Sequence, residues 1–429
     1  MTLGVVSSKL FYREGGRYVT TGGFGRQMEA LAQRFDRVVL AVPVAEGSPE
    51  GAYEISSGNV DYCPLPPYRT QPQLLARLPI LAWRILRHVR EWDLVHARLP
   101  DLTGWMGFAA ARVRARPVFV TLTSDWEESI LVRGETGARG VARWALNLYV
   151  RFYLGLERYA ARRALAFAVG RGLYERYRWD SGKVELTIST TVRRGEIAPP
   201  RRTCDNGSVQ LLFVGRLTRA KGLTYLLDAV RLLLDRGRDV RLSIVGGGEL
   251  RDSLETAVAT RGLGDVVTFH GAKTLGPELS AHYRAADIFV LPSVSEALGK
   301  VILEAMASAL PVVATDVGGV ATIVEDGATG LLVEPKSAEA LADAVERLVD
   351  DGELRTRVIQ RGLVVAGANT IEEETEELLS RVEAEFPHLF PRHRTERGEP
   401  AHHAGARPPS GRTPLRRAPA SSGAAADSG

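Results

Sequence analysis

The chain has 429 residues, of which 45% are hydrophobic and 25% are charged. These values are ordinary for a globular protein, and the length is sufficient for two or three domains. Residues 388–429 hold seven arginines and three acidic residues, which accounts for the whole net charge of +4. This segment is also rich in Pro, Gly, Ala and Ser, so we predict a disordered basic tail and no nucleic-acid binding.

The cysteines and the hydrophobic runs restrict the cellular location. Cys63 and Cys204 are far apart and fit neither a disulfide framework nor the spacing of zinc ligands, which favours a reducing compartment. Met1 leads directly into a strand-like sequence, and the apolar run 74–86 is interrupted by arginine and proline. We therefore expect no signal peptide and no membrane span, and a protein that is cytoplasmic or peripheral to the inner face of the membrane.

The first predicted strand, 3–7, precedes a loop of irregular sequence and a helix with apolar positions from Phe24 onward. Gly22 and Gly23 lie at the junction of loop and helix, where they permit positive φ or a close backbone approach. A strand, a glycine loop and a helix in this order form a phosphate cradle in many proteins. The same order is equally typical of a plain turn between a strand and a helix.

Further strands are predicted over 37–42, 93–97 and 116–123, with an amphipathic helix over 74–92. His96, at the end of one strand, is a candidate for catalysis or for lining an acceptor site. Histidines at strand ends are more often structural, and that interpretation stays open.

Residues 133–163 combine seven arginines with aromatic and aliphatic residues at spacings that predict a long helix. A basic helix that carries aromatic side chains is typical of contact with an anionic membrane surface. The alternative is a helix of the domain itself, with its apolar side in the core and its arginines in water.

Residues 193–206 are polar, contain proline and lack periodicity, which predicts a linker. Strand and helix patterns restart at 210–214 and lead into Gly215, Arg216 and Lys221. Two cations five residues apart before a helix are suited to charge-assisted bonds with phosphate. Ordinary surface charges on a solvated loop would have the same spacing.

The segment 293–319, SVSEALGKVILEAMASALPVVATDVGG, follows a short apolar strand. Glu296 and Glu304 lie eight positions apart, and Gly299 marks the change from loop to helix. Loops at the carboxyl ends of parallel strands bind ligands, and the amino end of the following helix favours anions. Glu304 lies among apolar residues, so it requires hydroxyl, amide or cationic partners unless it faces solvent. A glycosidase acid and base pair is the other possibility for two such glutamates.

This segment resembles the donor-binding signature of the retaining glycosyltransferases of family 4, which have the GT-B fold. The resemblance implies that Glu296 contacts the hydroxyls of the donor sugar and that Glu304 holds the ribose of the nucleotide. It also implies that Arg216 and Lys221 bind the donor diphosphate and neutralise the leaving group, so that catalysis falls to these two residues and Glu296. The implied donor site comprises Gly22, Gly23, Gly215, Arg216, Lys221, His270, Glu296, Leu298, Gly299, Lys300, Val301 and Glu304.

The sequence departs from the family pattern at two places. Family members usually carry a histidine at the end of the strand 116–123, where this chain has Thr123, and a threonine cannot hold a proton near neutral pH. Asp125 or His96 are candidates to substitute on the acceptor side, or the activity is weak or lost. Residues 189–192, STTV, stand where relatives often show an Asn-Gly pair, so the hinge side of the cleft is expected to differ.

The sequence thus predicts an α/β protein of two Rossmann-like parallel-sheet domains facing a cleft. We expect an acceptor-side domain over 1–192, a linker over 193–206, a nucleotide-sugar-binding domain over 207–369 and a crossover helix over 370–387. The expected activity is metal-independent, retaining transfer of a hexose from a UDP- or GDP-hexose substrate to a glycan or lipid-linked acceptor, without a cofactor. A donor-binding protein without catalysis and a sugar-nucleotide epimerase of the same fold are the alternatives.

Overall fold

The structure of the protein is a computed structural model. It describes residues 1–68, 70–123, 140–205 and 207–390, and Met1–Phe390 form one compact unit. Asp125, residues 133–139 of the basic aromatic segment and the tail from Pro391 onward lie outside the described residues. The described chain contains two sheets, each covered by helices, which we name the first lobe and the second lobe.

The first lobe contains a ten-stranded sheet that is parallel along most of its length. Its strands are β1 Thr2–Val6, β2 Phe11–Glu14, β3 Arg17–Thr21, β4 Arg37–Glu46, β5 Ala52–Glu54, β6 Val60–Leu65, β7 Leu94–Leu99, β8 Val118–Leu122, β9 Leu165–Val169 and β10 Val184–Thr187. Their order is β10-β9-β8-β7-β1-β4-β2-β3-β5, with β6 paired to β4. Strands β8 and β9 are buried at every position, because helices cover both faces of the sheet.

Five helices flank this sheet among the described residues: α1 Phe24–Ala32, α2 Gln71–His88, α3 Leu102–Val113, α4 Val141–Arg163 and α5 Arg171–Tyr177. Helix α3 begins after Asp101, whose carboxylate accepts a hydrogen bond of 3.0 Å from the amide of Gly104. The predicted irregular loop after β1 is instead a hairpin of β2 and β3. Gly15 and Gly16 have positive φ and form the turn of this hairpin. The spacing of apolar residues along the chain does not reveal such a turn.

The second lobe contains a six-stranded, fully parallel sheet in the order β13-β12-β11-β14-β15-β16. The strands are β11 Val209–Val214, β12 Val240–Val245, β13 Val267–Phe269, β14 Ile288–Leu291, β15 Val312–Thr315 and β16 Leu331–Val333. The helices are α6 Leu223–Asp235, α7 Arg251–Thr260, α8 Pro277–Ala285, α9 Lys300–Ala307, α10 Ala338–Asp350 and α11 Gly352–Ala368. The strand order changes direction between β11 and β14, which is where open parallel sheets bind ligands.

A last helix, α12 Ile371–Glu385, returns the chain to the first lobe. Its Leu379 and Val382 are buried in the same core as strands β1 and β4. Residues 387–389 form a short 3-10 helix, and the ring of Phe390 lies 6.4 Å from that of Phe35. The folded part therefore extends at least to residue 390, beyond the predicted start of the tail at 388, because these apolar side chains cover the first core.

The prediction of an α/β fold with two parallel sheets is confirmed. Within the described part of the chain, no helix combines the length and the apolar character that crossing a bilayer requires.

Candidate functional site

Two loops meet at the switch point of the second lobe, one after β11 and one after β14. The amide of Val294 donates to the carbonyl of Ala220 at 2.8 Å, so the two loops are joined through their backbones. Gly222 has a φ of +62°, and an added Cβ would lie 2.1 Å from the carbonyl oxygen of Pro292. Only glycine satisfies both the left-handed conformation and the close approach, so the side chains on these loops are fixed relative to each other.

Other glycines allow neighbouring backbone segments to pack closely around these loops. The amide of Gly319 donates to the carbonyl of Glu296 at 3.0 Å, and an added Cβ at Gly319 would lie 2.0 Å from the oxygen of Ala297. Gly246 approaches the carbonyl of Gly215 equally closely, with 1.8 Å for an added Cβ. Gly246 therefore permits close packing against the end of β11.

Lys221 and Glu296 form an ion pair, and their side chains are only 17% and 13% exposed. The hydroxyl of Ser293 donates a further hydrogen bond to Glu296 at 3.3 Å. Arg216 lies on the loop after β11, where it is exposed. It forms no ion pair with any carboxylate in the described part of the chain. The structure thus brings Lys221 and Glu296 into contact, and Arg216 lies on the same loop as Lys221.

The amino end of α9 supplies the backbone donors. Gly299 precedes the helix with a φ of +77°, and no side chain caps the helix end. Because the first amides of a helix have no partner within the helix, the N–H groups from Leu298 to Val301 are available to an anion. Lys300, the first helical residue, adds a positive charge at the same place.

Glu304 is held by two hydroxyl groups, which resolves the anomaly of a carboxylate in an apolar run. Thr191 donates to one carboxylate oxygen and Tyr283 donates to the other at 2.8 Å. Burial raises the pKa of Glu304, and these two hydrogen bonds oppose that shift. Glu304 lines a small crevice together with Arg26 and Ser280.

The glycine loop of the first lobe lies against Thr191, which lines this crevice. Gly22 has a φ of +69°, whereas Gly23 has an ordinary φ of −80° and precedes α1. An added Cβ at Gly23 would lie 1.9 Å from the methyl carbon of Thr191. The loop therefore packs against the residue that holds Glu304, a contact that links the two lobes.

Sequence reasoning missed two further cations, Lys9 and Arg98. Burial lowers the pKa of Lys9 to about 8, and the charges of Arg216 and Arg98 lower it further. Burial lowers the pKa of Lys300 to about 7, with Arg98 as the next cause. Lys9 follows β1 and Arg98 lies in β7, so both are at carboxyl ends of parallel strands. That shared position is the signal that could have identified them.

The predicted histidines lie in different surroundings. His96 is 1% exposed, stacks on Phe119 and shares a hydrogen bond of 2.7 Å with Thr121. Burial holds the pKa of His96 well below its usual value, so this ring is neutral and enclosed. His270 follows β13, where its ring lies 3.2 Å from the hydroxyl of Ser243, and burial lowers its pKa as well.

The acceptor-side residues are only partly described. The hydroxyl of Thr123 donates to the carbonyl of Leu99 at 2.8 Å, so this side chain is engaged with the backbone at the end of β8. Asp125, the other candidate there, falls outside the described residues.

Two family models match the chain. The model described as glycosyl transferases group 1 matches residues 198–365, and the model described as glycosyltransferase family 4 matches residues 21–181. Together they span most of the two lobes. The first contains Arg216, Lys221, Glu296 and Glu304, and the second contains the glycine loop.

Characterised relatives match parts of the chain. It is 40% identical over 179 residues to an alpha-D-kanosaminyltransferase of Streptomyces kanamyceticus, a match that covers 42% of this chain and 46% of that protein. It is 28% identical over 336 residues to a sulfoquinovosyl transferase of Arabidopsis thaliana, covering 74% of this chain and 61% of that one. The chain thus spans less than two thirds of the length of either relative.

Solved structures share the fold. A sucrose-phosphate synthase from Thermosynechococcus elongatus superposes with a TM-score of 0.71 at 23% identity, covering 90% of this chain and all of that one. The Anabaena protein HepE in complex with UDP superposes with a TM-score of 0.67 at 18% identity, with the same coverage. At these identities the likeness establishes the two-lobed fold of such enzymes.

Proposed function

This chain belongs to the glycosyltransferases of family 4, and on that premise we propose that it transfers a hexose from a nucleoside diphosphate sugar to an acceptor hydroxyl with retention of configuration. The observation that carries the proposal is the cradle at the carboxyl ends of β11 and β14. There Lys221 pairs with Glu296 on the loop that leads into α9, Lys300 begins that helix, and Glu304 follows within it.

Each part of the cradle suits one part of the donor. The amino end of α9 and the cations Arg216 and Lys221 bind the diphosphate, since positive dipole ends and charge-assisted donors favour phosphate. Glu304 accepts hydrogen bonds from the ribose hydroxyls, in place of those it now accepts from Thr191 and Tyr283. Glu296 accepts hydrogen bonds from the transferred sugar and is oriented for this by Lys221.

In the proposed reaction, the acceptor oxygen bonds to the anomeric carbon on the face from which the diphosphate departs. The bond between that carbon and the phosphate oxygen breaks, and the departing phosphate takes the proton of the acceptor hydroxyl. Arg216 and Lys221 stabilise the negative charge that develops on the leaving group. No side chain at the position of Thr123 has to hold a proton in this scheme, and the charge stabilisation requires no metal ion.

A binding experiment tests the donor assignment. Calorimetric titration with UDP, GDP and ADP should show that UDP or GDP binds and that ADP does not. With the corresponding nucleotide sugar and an acceptor, nuclear magnetic resonance should show a product with the anomeric configuration of the donor, and a chelator should leave the rate unchanged. An inverted product or loss of turnover with the chelator would contradict this mechanism.

The same experiment separates the alternatives. A donor-binding protein without catalysis is favoured by one observation, the engagement of Thr123 with the backbone of Leu99 rather than with open space. Nucleotide-sugar binding with neither hydrolysis nor transfer would establish that case. A changed sugar that is still joined to the nucleotide would establish an epimerase.

We also propose that α4 contacts an anionic membrane surface during synthesis of a glycan or glycolipid. Trp144, Leu148 and Phe152 are 66%, 55% and 56% exposed and follow each other at intervals of four residues. Arg143 and Arg151, beside them, are exposed as well. The helix buries Tyr153, Ala160 and Ala161 on its inner side, and its outer side combines this exposed apolar area with positive charge. The protein would then be cytoplasmic and peripheral.

Sedimentation with vesicles tests this contact. Vesicles that contain phosphatidylglycerol should bind the protein, whereas phosphatidylcholine vesicles should not, and Trp144→Ser with Phe152→Ser should abolish the binding. Trp179→Ser is the matched control, because Trp179 is 80% exposed outside α4. Equal binding by the double variant and the wild type would refute the assignment to α4.

A further inference from the structure

Arg26 of α1 extends from the first lobe to the crevice in which Glu304 lies. Its side chain is 7% exposed and lines that crevice together with Glu304, Thr191 and Ser280. Its Nη1 donates to the carbonyl of Thr191 at 3.1 Å and to the carboxylate of Glu196 at 2.8 Å. Both acceptors lie in the segment that joins the lobes. These two bonds hold the guanidinium of a first-lobe residue at the wall of the crevice.

The Nε–H of Arg26 is buried and has no hydrogen-bond partner within the described part of the chain. Buried polar groups in folded proteins are nearly always paired, so an unpaired donor beside a ligand site indicates a partner that the ligand supplies. The charge of the guanidinium is already matched by Glu196, to which it is joined in an ion pair. An anionic ligand would be repelled by this carboxylate, so a neutral acceptor suits the unpaired N–H.

Glu304 has the complementary requirement in the same crevice. Burial raises its pKa, and the hydrogen bonds from Thr191 and Tyr283, followed by the charge of Arg26, oppose that rise. An ionised carboxylate only accepts hydrogen bonds and the N–H of an arginine only donates one, whereas a hydroxyl does both. A single hydroxyl that donates to Glu304 and accepts from Arg26 therefore satisfies both groups. Two neighbouring hydroxyls would also replace both present partners of Glu304.

We propose that Arg26 recognises the ribose of the donor: its Nε–H donates to the oxygen of one of the two ribose hydroxyls that donate to Glu304. This inference rests on the proposed function, since it takes the ribose to lie at Glu304. Arg26 is then a specificity-determining residue that the first lobe adds to a donor site of the second lobe. It distinguishes a ribonucleotide from a nucleotide that lacks the contacted hydroxyl. The other hydroxyl is held by Glu304 without Arg26.

The first measurement compares the binding of UDP, 2′-deoxy-UDP and 3′-deoxy-UDP to the full chain by calorimetry, with the guanine nucleotides in their place if GDP is the one that binds. Wild-type protein should bind each deoxy nucleotide at least about tenfold more weakly than UDP, because a hydrogen bond to a charged group is lost. In Arg26→Lys, a methylene replaces Nε and the ammonium group remains a cation for Glu196. The penalty for one deoxy nucleotide should then shrink by about fivefold or more, and the penalty for the other should stay the same.

A second variant separates recognition of the ribose from support of the segment between the lobes. Arg26→Gln keeps an N–H donor at the position of Nε but loses the Nη1 bonds to Thr191 and Glu196. It should bind all three nucleotides more weakly by one common factor and retain the wild-type penalties for both deoxy nucleotides. The control is Arg34→Lys, which alters an exposed arginine paired with Glu376 and should change none of these affinities. Thermal unfolding establishes that all variants are folded.

The remaining outcomes overturn the inference in distinguishable ways. If no nucleotide binds, the proposed function fails and the inference fails with it. If wild-type protein binds both deoxy nucleotides as tightly as UDP, the ribose is not held at Glu304, and that part of the proposed function fails as well. If Arg26→Lys weakens all three nucleotides equally, or if Arg26→Gln loses the same penalty as Arg26→Lys, Arg26 only supports the segment between the lobes and the inference alone fails.

Discussion

Glu304 shows how a single carboxylate is prepared for a ligand. Its position in the apolar stretch of α9 makes it costly to bury, and the hydroxyls of Thr191 and Tyr283 compensate part of that cost. Both partners are neutral, so a diol can replace them without separating an ion pair. Glu296 differs, because it is joined to the cation Lys221. The two glutamates are therefore suited to different tasks.

Replacing the two glutamates should have different effects. Glu304→Ala should weaken nucleotide binding tenfold or more, since hydrogen bonds to a charged group contribute about 1.5–3 kcal/mol each. Glu296→Ala should mainly lower kcat. Calorimetry and steady-state kinetics measure both, and Glu304→Gln, which keeps an acceptor for Thr191 and Tyr283, controls for loss of folding. Wild-type behaviour of both alanine variants would contradict the assignment of roles.

The lysines near the diphosphate should couple binding to proton uptake. Because the pKa of Lys300 is about 7 and that of Lys9 is about 8, both are partly deprotonated at pH 8 in the free protein. A bound anion favours the charged form and raises both values, so protons are taken up on binding and affinity falls as pH rises from 7 to 9. Calorimetry at pH 8 in buffers of different ionisation enthalpy measures the uptake.

A matched variant assigns this uptake to a residue. Lys300→Met should reduce the number of protons taken up, and Lys273→Met, which removes a partly exposed lysine paired with Glu278, should not. An uptake of zero in the wild type would show that the two lysines are fully charged in the free protein. Because folding lowers the pKa values of Lys9 and Lys300, the unfolded chain binds more protons than the folded protein between about pH 7 and pH 10. The free protein should therefore also gain stability as pH rises from about 7 to 10.

The loops that form the site are shaped by glycines with distinct tasks. Gly22 and Gly299 supply positive φ, and Gly23 and Gly319 permit close approach to neighbouring atoms. Gly222 and Gly246 do both. A sequence shows where glycines occur, but it does not show which of the two tasks each one performs.

The contact of the glycine loop with Thr191 is testable with a compensating pair of substitutions. Gly23→Ala should weaken nucleotide binding, because the added methyl collides with the Thr191 methyl and displaces the hydroxyl from Glu304. Adding Thr191→Ser removes the colliding methyl and keeps the hydroxyl, so binding should recover. Gly22→Ala, with no atom near the added Cβ, should cost only about 1 kcal/mol of stability through its positive φ. Failure of the double variant to recover would refute the steric explanation.

Contacts between segments far apart in sequence join the two lobes at residues 191–196, which we call the hinge. Arg26 of α1 is 7% exposed and donates to the carbonyl of Thr191 and to Glu196. The amide of Ile371, at the start of α12, donates to the carbonyl of Val192 at 2.7 Å. The chain therefore passes between the lobes twice at one place, and a rotation about this place would open or close the cleft.

Removing a buried side chain from α12, the helix that returns to the first lobe, should reduce stability without changing the donor site. Leu379 is 1% exposed in the first core, so Leu379→Ala should cost about 3 kcal/mol. Nucleotide affinity of the folded variant should remain within about twofold, since the donor cradle belongs to the second lobe. Denaturant unfolding and calorimetry measure the two quantities. Val364→Ala, at a position 72% exposed on α11, is the control and should change neither.

The sequence by itself determined the features that depend on neighbours along the chain. Apolar strands alternating with helical patterns predicted the α/β fold, and residues 293–319 predicted the family, because a strand, a loop and a helix end lie within one short segment. The contact between Lys221 and Glu296 in the structure has a related reason. Their loops follow adjacent strands β11 and β14, and parallel strands end at one edge of the sheet.

Only the tertiary structure decided which distant residues complete the site. Thr191 holds Glu304 across 113 positions of sequence, and Lys9 and Arg98 join the cations of the other lobe. The sequence likewise did not determine whether Trp144 and its neighbours on α4 face solvent or the core, because the periodicity of a helix does not tell which face meets the core. These features follow from how the two sheets pack against each other, and that packing is the sum of many non-local contacts that no local pattern records.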